Sequence, residues 1–121
     1  MKIADLPAVV IAISVFSHPG LTQPMQGMQM PAPSANEPAS TKAYRSATSK
    51  MGQSMAVTYS GDADKDFVAG MIPHHEGAVE MAKVEMKYGK APQLRKLAGE
   101  VIAAQTKEIA FMQSWQAKHA K

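Results

Sequence analysis

Apolar residues recur through the C-terminal two thirds of the chain at alternating steps of three and four, the spacing that keeps side chains on one face of an α-helix. In residues 64–89 they form two adjacent seams. One holds Val68, Ile72, His75, Val79, Ala82 and Met86, and the other Phe67, Met71, His74, Ala78, Met81 and Glu85. The opposite side carries Lys65, Pro73, Glu76, Glu80, Lys83 and Lys87, with Glu80 and Lys83 spaced to pair in water. Both histidines are therefore expected to point inward. Asp62 and Asp64 offer N-cap oxygens, Asp66 suits the positive end of the helix dipole, and Gly89 suits a left-handed C-terminal cap. Pro73 has no N–H for the carbonyl of Ala69, so a kink is expected just before His74.

Two further helices flank this one. Residues 41–57 place Tyr44, Thr48, Met51 and Met55 on one seam and Arg45, Ser49 and Lys50 outside, with Ser40 or Thr41 available as cap. Residues 92–118 start at Pro92, which suits the first helical position, and align Leu94, Ala98, Val101, Gln105, Glu108, Met112, Trp115 and His119. No strand pattern is present, and residues 58–61 read as a turn. Short connections make neighbouring helices antiparallel, so the expected fold is all-α, a small antiparallel three-helix bundle. Folding about Lys90 sets His75 opposite Gln105, Met71 opposite Glu108 and Ile109, and Val68 opposite Met112. Folding about Ser60 sets Met51 and Met55 beside residues 65–69. Met51, Met55, Met71, His74, His75 and Met112 are thus expected to gather near one end of the bundle.

Ahead of the helices lie two segments of different character. Residues 1–20 hold one lysine and then the apolar run from Leu6 to Phe16, too short to span a bilayer but matched to the core of a secretory signal. Asp5 is unusual in such a segment, and no Ala-x-Ala site follows it; cleavage after Ser17, with Val15 three residues back, is tolerable. An uncleaved anchor or a misassigned start is the alternative. Residues 21–40 are rich in Pro, Gln and Ser, with few large aliphatics, and are expected to remain a disordered linker. The linker contains Met25, Met28 and Met30, three thioethers on a backbone able to wrap a soft cation. Residues 41–121 form the expected helical domain.

Composition sharpens this picture. The chain of 121 residues has no cysteine and ten methionines. A thioether remains a soft, uncharged ligand in an oxidising compartment, where thiols are consumed as disulfides. The net charge of +3 is spread along the chain without a basic run or interleaved aromatics, which sets nucleic acid aside. A domain this small has a thin core and gains from forming a homo-oligomer.

The chemistry concentrates in Gly70-Met71-Ile72-Pro73-His74-His75. His75-Glu76 opens like the zincin motif H-E-x-x-H, but Val79 stands where the second histidine belongs. A di-metal carboxylate site fails too: Glu85 and Glu108 approach the seams, and neither has a histidine three residues on. With no nucleophile–base pair in view, the chain reads as a metal binder rather than an enzyme. The alternatives are a helical interaction module in which Met and His are core, and a weak metal-dependent enzyme. His18, Met86 and His119 are assigned no metal role.

Gly61-Asp62-Ala63-Asp64, the GMIPHH hexapeptide, Gly77-Ala78, Tyr88-Gly89-Lys90, Leu94-Arg95-Lys96-Leu97-Ala98, Ala104-Gln105, Glu108-Ile109-Ala110 and Met112 with Trp115 together resemble the bacterial domain-of-unknown-function family 305. The resemblance covers residues 41–118 and implies a small ferritin-like helical protein that handles copper outside the cytoplasm. Carried over, it implies Met51, Met55, Met71, His74, His75 and Met112 as ligands, with soft metal ions and copper-export components as partners. Cu(I) is the expected ion and Ag(I) its surrogate; the imidazoles offer Cu(II) a second mode, lost on protonation. Relatives often carry a histidine where Gly52 stands, and an aspartate where Ala91 precedes Pro92.

Overall fold

The computed structural model describes residues 32–120, within the compact unit Ala32–Lys121. The signal-like segment, most of the Met/Pro-rich linker, and with it Met25, Met28 and Met30, lie outside the described residues. The described chain is all-helical: α1 is Ala39–Ser54, α2 is Ala63–Tyr88 and α3 is Pro92–Lys118, with no strand among the described residues.

Capping follows the sequence at one end of α2 and departs from it at the other. The Asp62 carboxylate accepts from the backbone N–H groups of Asp64 (3.0 Å) and Lys65 (3.1 Å), satisfying two donors that a helix start leaves open. Gly89 was expected to be left-handed, but it is extended, at φ −67° and ψ 146°. Arg95 of α3 closes that end instead, donating to the carbonyls of Met86 and Gly89 and bringing a cation to the negative end of the dipole. Glycine is still required, because a Cβ at position 89 would lie 2.6 Å from the carbonyl oxygen of Glu85. α1 starts at Ala39 after Pro38 with no side-chain cap, so neither Ser40 nor Thr41 caps it. Ala91 likewise offers α3 none. The expected Glu80–Lys83 pair forms at 2.6 Å.

α2 is the central element, buried on two opposite sides. Val68, His75, Val79 and Ala82 are buried on one side, while Pro73, Gly77 and Val84 are buried on the other. At about 100° per residue these groups lie roughly half a turn apart. α3 covers the first group and α1 the second, and among the described residues α1 and α3 have no Cα atoms within 8 Å of each other. Pro73, expected to face solvent, is therefore buried beneath α1. It leaves α2 one continuous helix.

Gly77, one turn on from Pro73, lets α1 approach closely. A Cβ there would fall 2.6 Å from Cγ and 2.9 Å from Cβ of Met51, so the Met51 side chain rests on bare helix backbone.

The register of α1 against α2 differs from the expected one. Met51 meets Gly77, and the Tyr44 hydroxyl donates to Glu85 (3.3 Å), rather than Met51 lying beside residues 65–69. Partial burial first, and the Glu85 carboxylate second, push the Tyr44 hydroxyl pKa up. This register puts the end of α1 about level with His74 and His75, leaving the first three turns of α2 projecting beyond it. Residues 55–62 run back along that overhang. Twelve residues of helix span ~18 Å, well within the reach of eight extended ones.

Asp66 pins this return. It accepts from the Ser60 N–H (2.7 Å), the Ser60 hydroxyl (2.7 Å) and the Gly61 N–H (3.0 Å), while Gly61 turns the chain at φ 90°. The Ser60 backbone bond first, then the Ser60 hydroxyl, lower the Asp66 carboxyl pKa. A lowered folded-state value contributes stability that is present above the ordinary carboxylate range and lost as pH falls through the folded value. Asp66→Asn should therefore melt below wild type at pH 7, with the gap closing in acid once Asp66 is protonated. Thermal melts of both proteins across that range check this; a gap constant with pH would refute it.

Candidate metal centre

The six helical-domain residues expected to cluster divide into three groups. Met55, Met71 and His74 line one hollow of about 340 Å³ with Tyr59, Phe67 and Gly70. Met71 and His74 come from one stripe of α2, and Met55 from the start of the returning connection, just past the end of α1. They line the same hollow because residues 55–62 connect the end of α1 to the start of α2 along the side of α2.

Met51 lies elsewhere. It rests on Gly77 between α1 and the Pro73 side of α2, so its thioether packs helices together. Met112 is buried and lines a hollow with Val68, Phe67 and Trp115 on the α3 side of α2. α2 itself separates the two, and neither lines the hollow at Met55.

The histidines diverge as well. His75 is 9% exposed and its Nε2 lies 2.7 Å from Oε2 of Glu108, across the α2–α3 contact. Its Nδ1 is buried without a hydrogen-bond partner. His74 is exposed, against the expectation that both rings point inward, and meets the His75 ring edge-on with centroids 6.1 Å apart. Adjacent residues of a helix differ by about 100° in direction, so one ring is buried against α3 while the other faces out.

The Met55–Met71–His74 hollow offers two thioethers and one imidazole amid apolar and aromatic walls. Its carboxylate, Asp66, is engaged by Ser60 and Gly61. Such a donor set fits a soft, low-charge cation and not a hard one that demands oxygen. Among the described residues no three His, Asp or Glu side chains gather as a metal-binding group.

Sequence reasoning passed over Tyr59, Phe67 and Gly70 as walls of the hollow, and Gly77 as the seat of Met51. Gly77 had a readable signal: it follows Pro73 by one turn, marking a face with no large side chain.

A family model described as "Domain of unknown function (DUF305)" matches residues 17–116. The chain belongs to the DUF305 family. The match begins well before the helices, so it takes in the Met25–Met30 stretch, which the motif resemblance placed outside. This DUF305 chain is also similar to the uncharacterized protein L153 of Acanthamoeba polyphaga mimivirus, at 41% identity over 51 residues. That stretch is 42% of this chain and 34% of the relative, so the match spans about a third of the relative's length.

Proposed function

We propose that this protein is an exported binder of soft monovalent metal ions that holds Cu(I), with Ag(I) as its surrogate, for buffering or resistance. The observation that carries the reading is the convergence of Met55, Met71 and His74 on one hollow, from two segments of chain. In this role Met55 and Met71 supply thioether sulfur and His74 an imidazole nitrogen, and the apolar walls disfavour hydrated hard cations. Met25, Met28 and Met30 form a second, tail-borne set that captures metal independently of the helices. The signal-like character of residues 1–20 and a composition with methionine but no cysteine support the reading that this binding takes place in the periplasm or outside the cell. The cargo is bound and released rather than chemically transformed, with copper-export components as the partners that would receive it.

A second reading, a helical interaction module, draws on the packing roles of Met51, Met112 and His75 described above. Anaerobic Cu(I) titration against a strong chelator, with mass spectrometry of the complex, separates the two. The metal reading expects bound Cu(I) and Ag(I), and Zn(II) weaker by orders of magnitude, because the donors are mainly thioethers. Equal affinity for Zn(II), or no retention of Cu(I), would refute it.

A further inference from the structure

We propose that the face of α2 and α3 bearing Phe67, Met81, Leu97 and Phe111 is the interface with a second copy of this chain. On α3, Leu94, Leu97, Val101, Ala104, Glu108 and Phe111 follow one another at alternating steps of three and four, a heptad stripe. On α2, Phe67, Met71, His74, Ala78 and Met81 do the same. Because the helices are antiparallel, both stripes open on the same side of the α2–α3 contact, and Phe67 and Phe111 line one hollow there.

Heptad stripes in a monomer are ordinarily buried. Here Phe67 is 62% and Phe111 70% exposed, and Leu94, Leu97 and Met81 are exposed with them. The other side of the same helices carries Lys65, Glu76, Glu80, Lys83 and Thr106, an ordinary solvated surface.

Three observations favour a second copy over other occupants. The exposed aromatic and aliphatic side chains on this face, with Met55 and Tyr59 at its edge, offer on the order of 700 Å². That exceeds the usual largest apolar patch of a monomer and approaches the ~800 Å² that each partner contributes to a standard interface. The core of the single chain is correspondingly thin: no large side chain is fully buried among the described residues, and only Ala98 and Met112 of α3 are buried. Finally, the face is self-compatible in charge, since the carboxylate near mid-stripe, Glu108, already meets His75 within the chain and leaves no like-charged pair to oppose a second copy there. The Met55–Met71–His74 hollow lies along this face, but the association draws on apolar area and needs no metal.

The test is sedimentation equilibrium of the full chain, without metal, at about 50 µM, since standard-size interfaces range from micromolar to picomolar. The expected mass is that of two chains. Leu97→Glu with Phe111→Glu should raise the dissociation constant at least about 30-fold, the effect of losing interface hot spots. Both positions are more than half exposed, so helicity by circular dichroism should be unchanged. Lys83→Glu, on the polar side, should leave the dimer intact. A monomer at 50 µM overturns the proposal, as does a dimer indifferent to the double substitution. In the monomer case, hydroxyl-radical labelling of Phe67 and Phe111 would show whether another part of the chain covers them.

Discussion

Saturating Ag(I) should raise the melting temperature of this protein by on the order of 10 °C, and the rise should vanish when Met55→Leu, Met71→Leu and His74→Gln are combined. Met55 belongs to the chain between α1 and α2, while Met71 and His74 belong to α2, so an ion held by all three ties the returning connection to the helix it runs along. Binding to the folded form alone contributes about 2.7 kcal/mol at 100 times the dissociation constant, and a domain of this size gains about 4–8 °C per kcal/mol. The unfolded chain keeps its thioethers and competes for the ion, which holds the shift toward the low end. Met25, Met28 and Met30 are present in wild type and triple variant alike, so the difference between the two shifts reports the hollow. The control substitutions keep approximate volume and remove only the ligand atoms. Should the triple variant gain as much as wild type, the hollow is not the site. A parallel variant, Met51→Leu with Met112→Leu, should keep the full Ag(I) response, because those sulfurs lie on opposite sides of α2 and outside the hollow.

Gly77→Leu should lower the melting temperature by about 5–20 °C, from the roughly 1–3 kcal/mol cost of overpacking a close contact. A Cβ at position 77 already falls within 2.9 Å of the Met51 Cβ, an atom at the root of its side chain, so α1 itself has to move. Gly77→Ala makes the comparison sharper. In an open helical position Gly→Ala stabilises by about 0.5–1 kcal/mol, as is expected for Gly99, where nothing lies within 4 Å. At Gly77 that gain should be absent or reversed, and Met51→Ala should recover only the part set by the Met51 sulfur and Cγ, because the Cβ it keeps still lies 2.9 Å from the added methyl. Thermal melts of Gly77→Ala, Gly99→Ala and the Gly77→Ala/Met51→Ala pair provide the check. Equal stabilisation at positions 77 and 99 would mean that α1 does not rest on α2 as described.

What could be read in advance follows from local physics. Helix periodicity, the Asp62 cap, Pro92 at the start of α3 and the Glu80–Lys83 pair all depend on residues within one or two turns of one another, and each stands where the pattern put it. The antiparallel register of α2 and α3 was also legible, because a three-residue connection leaves little freedom: Val68 does lie by Met112. The His75 ring reaches Glu108, about one turn beyond the expected Gln105.

The placement of α1 was not legible, and the division of the candidate ligands follows from it. An eight-residue connection can close a tight turn or run back along a helix with little local preference between them. The choice was made by contacts far apart in sequence: Met51 on Gly77, Tyr44 with Glu85, and Asp66 holding Ser60 and Gly61. By itself the sequence determined three helices, the Asp62 cap of α2 and a chain rich in soft donors. Tertiary structure alone decided that α2 lies between the other two, and so that Met55, Met71 and His74 share a hollow while Met51, His75 and Met112 pack the helices. Periodicity specifies which residues share a face of one helix; which helix covers that face depends on burial and close approach between distant segments.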